Sequence, residues 1–297
     1  MAMRPYFILF LLLLHAPLLR AQDPHINRLA QELQSSNVSV RRQAAISLGR
    51  VSYAQSVRLL RQAMVTESNT SVRLEILRAL RNISFLRFPG YKEALQAIAD
   101  ASDDDRESND LVRLRATEAL WEAYKKDLLD PIPYLDRVLV DRSQRLRLAA
   151  VQTLRRIGTP ETIPILGKAA LDKTQSESIR LKAIDALGAV ALADLGPAGR
   201  QVADANMRTA RLLGIPSLVS PKALERRHQL QINYLAAVVK DADNSSALML
   251  QAVKSMGKVK DKFAIPVLHE IIETHQNQAV RKQAGRALSH VMARQYE

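Results

Sequence analysis

The 297-residue chain contains no cysteine. Disulfides, thiolate metal sites and a cysteine nucleophile are therefore excluded, as is the lipid-bearing cysteine of a bacterial lipoprotein. Aromatic residues are also scarce, at 4% with a single tryptophan, Trp121, whereas 47% of the chain is hydrophobic. Abundant alanine and leucine with so few rings suit closely packed helices better than a β-sandwich, whose strands favour aromatic and β-branched side chains. No Gly-rich phosphate loop, G-x-S-x-G elbow or paired-carboxylate signature is present, so the residues themselves point to no catalysis.

Long hydrophobic runs are confined to the start of the chain. Arg4 precedes an unbroken apolar run over residues 6–14, and Leu19-Arg20-Ala21 ends on a small residue. Residues 1–21 read as a secretory signal peptide cleaved after Ala21, because the run is shorter than the ~20 residues that a membrane span needs. Export without disulfides fits a bacterial periplasm or exterior. Acidic charge is in deficit. The net charge is +13, of which Arg4 and Arg20 in the leader supply two, leaving +11 on the remainder. That balance favours acidic partners, namely an acidic protein, an anionic polymer or a lipid surface, and export makes nucleic acid the least expected of them. Four N-x-S/T triplets begin at Asn37, Asn69, Asn82 and Asn244, three of them at or beside turns where Asn and Ser belong structurally.

What the chain has in quantity is one twelve-residue phrase, clearest at residues 179–190 as IRLKAIDALGAV. It recurs from Val40, Val72, Val112, Leu146, Leu248 and Val280, giving seven repeats. The first five starts are 32 to 40 residues apart, a period that means stacked units rather than one closed core. Each phrase follows another apolar helical stretch and a polar turn, so each repeat is a helical hairpin. Residues 23–33 pair with 40–51, 53–65 with 72–83, 91–101 with 112–124, 131–140 with 146–157, 162–171 with 179–190, 224–239 with 248–259, and 263–272 with 280–292. Asp23-Pro24 supplies a cap and a first-turn proline for the opening helix. Two places break the regularity. Residues 103–110, DDDRESND, lengthen the third repeat and read as a solvated connection, since three adjacent Asp lack the alternating spacing and the Gly of an EF-hand loop. Between repeats five and six the starts are 69 residues apart, and residues 194–221, with a polar helical stretch over 198–213, read as an atypical or inserted unit.

Counting the first residue of the phrase as position zero, positions 0, 4, 7, 8 and 11 share one face of a helix. In repeat five these are Ile179, Ala183, Ala186, Leu187 and Val190. Positions four and seven are small in nearly every repeat, which lets the paired helix approach closely. Asn37, Asn69, Asn109, Ser143, Ser178, Ser245 and Asn277 stand just ahead of the phrases, all able to cap or turn.

A polar turn followed by V-R-x-x-A-x-x-A-L-G-x-I resembles the HEAT repeats of the short bacterial type, also called bilin-lyase-like repeats, over most of residues 23–297. The resemblance implies an all-α, right-handed α-solenoid of about seven stacked hairpins, and a family of protein-binding scaffolds with unrelated partners. It also bears on the arginine at position one, which recurs as Arg41, Arg73, Arg113, Arg147, Arg180 and Arg281. These six form a basic ladder for an acidic ligand, or else each pairs with an acid near the preceding turn, such as Asp141, Asp172 or Glu177, and links neighbouring repeats. The structural reading is preferred because this Arg belongs to the family phrase.

Opposite the core stripe, positions two, six and nine are expected on the concave surface of a two-layer solenoid. Leu74, Leu114, Leu148 and Leu181 occupy position two, Arg78 position six, and Arg81, Trp121 and Arg155 position nine. Aromatic and Arg anchors over apolar ground are what protein-binding hot spots are made of, whereas the bland alternative is that Leu and Trp fill gaps between adjacent second helices. His269 and Glu273 lie four apart, but the second His of an H-E-x-x-H metal motif is missing, so no metal or other cofactor is expected. Deoxyhypusine hydroxylase, an iron enzyme on similar repeats, uses several His-Glu pairs, and His269-Glu270 is the only one in this sequence. The leading expectation is a non-catalytic scaffold that binds a protein or peptide in its concave groove. Alternatives are a binder of anionic envelope polymer or membrane surface through basic charge, and an enzyme accessory of the lyase-like group.

Overall fold

The computed structural model describes residues 23–51, 54–190, 221–259 and 261–293. The leader expected at 1–21 and the polar stretch at 198–213 lie outside them. Fourteen helices and no strand are present among the described residues. They run α1 Pro24–Glu32, α2 Val38–Leu48, α3 Ala54–Thr66, α4 Thr70–Phe85, α5 Tyr91–Asp100, α6 Asp110–Lys125 and α7 Ile132–Val138. The second half continues with α8 Gln144–Ile157, α9 Thr162–Leu171, α10 Glu177–Val190, α11 Pro221–Lys240, α12 Ser246–Val259, α13 Ala264–Thr274 and α14 Gln278–Ala293. The even-numbered helices carry the repeated phrase. The fold is all-α and of the solenoid type.

Local chemistry starts these helices where the sequence predicts. Asp23 accepts from the His25 amide and Pro24 occupies the first turn of α1. Asn37, Asn69 and Asn109 cap α2, α4 and α6 through their side-chain carbonyls, and Asn277 accepts from the Ala279 amide ahead of α14. Each such cap stabilises a helix by about 1 kcal/mol relative to alanine. Two expected caps differ. Ser178 lies inside α10, which starts at Glu177, and Ser143 precedes α8 without a side-chain cap bond.

The chain divides into an N-terminal unit, up to Ala97, and a C-terminal unit from Ile98 onward. In the N-terminal unit α1 packs on α2, α3 on α4, and the phrase helices α2 and α4 pack on each other. In the C-terminal unit α6, α8, α10, α12 and α14 form a continuous layer, and α7, α9, α11 and α13 each back onto the phrase helix that follows. The layer is continuous between repeats five and six, because α10 packs directly on α12 and α9 on α11 although 30 residues separate α10 from α11. The core stripe is the one read from periodicity: Ile179, Ala183, Ala186, Leu187 and Val190 are all 0% exposed. Burying each large aliphatic side chain of this kind contributes about 1.5–3 kcal/mol.

The acidic segment 103–110 is a connection whose Asp105, Arg106, Ser108 and Asp110 are exposed, as expected, but it is also tied down. Glu107 is 1% exposed and accepts from the Asn109 amide, while Asp103 pairs with Arg137 and Asp104 with Arg142. The arginines neutralise what the local sequence alone presents as a run of like charge.

Candidate functional site

The position-one arginines are fastened into the turns. Arg41, Arg73, Arg113, Arg147 and Arg281 each donate through Nη1 to the carbonyl six residues back, on Ser35, Glu67, Glu107, Asp141 and His275, at 2.5 to 3.0 Å. Arg180 instead reaches the Ala170 carbonyl at 2.9 Å. Arg113 pairs with acids of its own preceding turn, Asp104 at 3.3 Å and Asp110 at 2.7 Å, as expected, but a further acid comes from elsewhere. Arg41 holds Glu67 through two hydrogen bonds of 2.7 and 3.0 Å, and Arg113 holds Asp141 through two of 2.8 and 3.1 Å, each time one repeat further along the chain. Thus one turn residue serves two arginines, with its carbonyl taking the Arg of its own repeat and its carboxylate the Arg before. Arg180 takes the Asn244 amide oxygen in the same manner, whereas Asp172 is bound by Thr174 and Glu177 accepts from the Ser245 hydroxyl. A guanidinium has five donors in a fixed fork, which is why it spans both partners.

These pairs are electrostatically strong. Burial pushes the Glu67 carboxyl up, but the hydrogen bonds from Arg41 and from the Asn69 and Ser68 amides hold it below the usual range. Burial likewise pushes the Arg113 guanidinium down, yet Asp141, Asp104 and Asp110 outweigh it and raise it further. Arg41, Arg113 and Arg180 thus link neighbouring repeats, whereas Arg73, Arg147 and Arg281 are fastened to carbonyls of their own turns.

Position nine is also placed differently. In three repeats it is glycine, and a Cβ added at Gly49, Gly188 or Gly257 would lie 2.7, 2.7 and 3.1 Å from Ala79, Ser255 and Ala287. Those three are position seven of the following repeat. The small residues at seven thus admit the neighbouring phrase helix, not only the paired one, and position nine borders that contact. Where nine is large it emerges from the seam. Trp121 is half-buried, stacks on Tyr124 with centroids 5.9 Å apart, and has the Lys125 ammonium 5.7 Å from its ring. Arg81, in the N-terminal unit, lies over the Phe85 ring at 5.9 Å.

Of the position-two leucines, Leu74, Leu148 and Leu181 are half-buried on the outward face, but Leu114 is only 5% exposed and belongs to the packing. Arg78 is exposed and grips Glu75 at 2.7 Å, and Arg42 reaches the same carboxylate at 3.1 Å. Arg155 is not free either, since it pairs with Asp185 at 3.2 Å. Asp185 also accepts from Lys258 at 2.5 Å and Gln251 at 3.1 Å. Burial pushes this carboxyl up, and the Lys258 hydrogen bond with the charges of Lys258, Arg155 and Lys182 holds it below the usual carboxylate range. One aspartate thus ties α8, α10 and α12 into a single outward face, with a depression of about 500 Å³ beside it lined by Glu177, Ser178, Leu181, Lys182, Asp185 and Gln251. Glu75 and Asp185 are the residues that sequence reasoning missed. Their signal was an acid at position three or six with a basic residue on a neighbouring turn or repeat.

Among the described residues no group of three or more His, Asp or Glu is placed to hold a metal ion, and Glu270 beside His269 is paired with Lys240 at 2.8 Å. No helix of the described residues is long and apolar enough to cross a membrane.

A family model of HEAT repeats matches residues 26–121, 105–188 and 132–211, which together span more than half of the chain. The chain belongs to the HEAT-repeat family. Among solved structures it is similar to an importin beta, at 14% identity over 90% of this chain and 35% of that one, with a TM-score of 0.52. Escherichia coli YibA aligns at 15% identity over 91% of this chain and 83% of that one, with a TM-score of 0.45. Human deoxyhypusine hydroxylase aligns at 16% identity over 90% and 96%, with a TM-score of 0.34. At these identities the likeness to importin beta speaks to fold alone. Comparison with curated protein sequences gives no match.

Proposed function

We propose that this HEAT-repeat chain is a non-catalytic scaffold that binds a protein or peptide segment along the outward face of its phrase helices, the face expected to be concave, and that it does so outside the cytoplasm after loss of the leader at 1–21. The observation that carries the reading is the half-buried apolar ground on that face: Leu148 and Leu181 at position two, and Trp121 at position nine of α6, which stacks on Tyr124. A half-exposed Trp has much apolar area still to bury and little side-chain entropy to lose, which is what an interface anchor requires.

The experiment is cross-linked capture of partners from a cell envelope with wild type and Trp121→Ala. Loss of a specific partner by the variant, at unchanged helicity and melting temperature, is the expected result. Collapse of helicity would make Trp121 a packing residue, and unchanged capture would remove it from the site; either overturns the assignment.

A further inference from the structure

Charge is paired differently on the different faces of the C-terminal unit. Away from the outward face, cation meets carboxylate repeatedly, in Arg137 with Asp103, Arg142 with Asp104, Lys173 with Asp241 and Asp243, Lys240 with Glu270, and Lys262 with Glu225. On the outward face of repeats four to seven stand Arg156, Lys254, Lys282 and Arg286, all exposed and in no ion pair among the described residues, and Lys182, exposed, whose charge acts on Asp185, a carboxylate that Lys258 and Arg155 already hold. The acids nearest this surface are already engaged: Asp185 by Arg155, Lys258 and Gln251, and Glu177 by Ser245. A stripe of one sign left uncompensated on a surface that elsewhere mixes signs attracts the opposite charge.

The same stripe is not purely polar. Leu148, Leu181 and Leu250 sit half-buried at position two of repeats four, five and six. On a helix, positions two and six are neighbours one turn apart, so Leu250 lies beside Lys254, and Lys282 and Arg286 continue the row on α14. That these helices present one continuous surface follows from Asp185, which α8, α10 and α12 all reach, and from Gly257, whose added Cβ would stand 3.1 Å from Ala287 on α14.

We propose that repeats four to seven bind an acidic, leucine-bearing peptide segment of a partner protein, its carboxylates facing Arg156, Lys182, Lys254, Lys282 and Arg286 and its apolar side chains lying on Leu148, Leu181 and Leu250. This rests on the scaffold reading and names the partner's chemistry. Adjacent packed helices are about 10 Å apart and an extended peptide advances about 3.3 Å per residue, so acids three residues apart meet successive repeats. The leucine row sets a peptide above a simple polyanion, which has nothing to place there. Three of the five cations are lysines, point charges that do not demand the forked geometry of a phosphate or a paired carboxylate.

The test is fluorescence anisotropy of the full chain with three labelled probes: a peptide of about twelve residues with Glu at every third position and Leu between, polyglutamate of the same charge, and a heparin oligosaccharide. The acidic leucine peptide should bind more tightly than the other two, and its affinity should fall with added salt without vanishing. The triple variant Lys182→Glu, Lys254→Glu, Lys282→Glu should weaken it about tenfold, the combined effect of three exposed pairs. Lys→Gln at the same positions should fall between, and keeps the test open if charge reversal disturbs folding. Reversal of Arg58 and Arg61 on α3 should change nothing. Equal binding of polyglutamate or heparin would overturn the proposal in favour of a generic polyanion surface, and so would triple variants that bind like wild type. If that happens while Trp121→Ala still loses a captured partner, the scaffold reading stands and only the acidic-segment inference fails.

Discussion

Replacing Arg113 by alanine removes a side chain that is 0% exposed and linked on every side. Its guanidinium donates to Asp141 at 2.8 and 3.1 Å and to the Glu107 carbonyl at 2.7 Å, and reaches Asp110 at 2.7 Å. Asp141 is itself 3% exposed and would keep only the Ser143 amide, 2.7 Å away, as a hydrogen-bond donor to its side chain. Breaking a buried ion pair by deleting one partner costs about 3–5 kcal/mol, because the remaining charge is uncompensated. A layer only two helices deep keeps solvent near the vacated space, so the lower end, about 3 kcal/mol, is the expected loss. Arg281 supplies the comparison. It makes the same turn contact, to the carbonyls of His275 and Gln276, but holds no carboxylate among the described residues. Arg281→Ala should cost about 1.5 kcal/mol, the lower end of the net worth of hydrogen bonds from a charged donor, because Arg281 is partly exposed. Denaturant unfolding followed by circular dichroism and by Trp121 fluorescence separates the two, since Trp121 lies on α6 with Arg113 and reports that helix even where a repeat array unfolds in stages. Equal losses at the two positions, or a loss below about 1 kcal/mol at Arg113, would refute the reasoning from the buried pair. Arg113→Met combined with Asp141→Leu should recover most of the stability, because an apolar pair leaves no charge behind.

Gly188→Ala and Gly285→Ala should have opposite signs in thermal unfolding. At Gly188 the new methyl meets the Ser255 Cβ at 2.7 Å and forces α10 from α12, an overpacking cost of about 1–3 kcal/mol; at Gly285 nothing lies within 4 Å and the gain in helix propensity is up to about 1 kcal/mol. A common sign would mean that the seam is misassigned. The Asp185 carboxyl titrates below its ordinary value of 3.8, so its contribution to stability is complete above that value and is lost as pH falls from there through the folded-state pKa. Unfolding measured against pH should therefore show a slope in that acid range that Asp185→Asn reduces, and identical slopes in the two proteins would refute the linkage.

What the sequence made legible, and what it did not, divides along a physical line. Periodicity places residues around a single helix, and everything that depends on one helix was readable: the buried stripe through Ile179, Ala183 and Leu187, the Asn caps at 37, 69 and 109, and the hairpin boundaries to within a few residues. Which azimuth meets the next repeat depends instead on how two helices are rotated against each other, and the phrase carries that only indirectly. Periodicity therefore puts positions two and nine on the concave surface, with gap-filling between adjacent second helices as the alternative, and the alternative describes Leu114, which the packing covers, while Gly188 and Gly257 lie in the seam. The acids that organise the outward face were invisible for the same reason. Asp185 sits at position six like any solvated residue, and only stacking brings Arg155 from the repeat before and Lys258 from the repeat after within 3.2 and 2.5 Å of it. The glycine pattern held the missing information. A residue that is glycine at position nine in repeats one, five and six but large in two, three and four marks where neighbouring helices must touch closely and where a side chain must turn outward. Within the C-terminal unit, Trp121 and Arg155 at position nine of repeats three and four are thus surface side chains, and repeats five and six, closed by Gly188 and Gly257, present their chemistry at positions two, three and six instead.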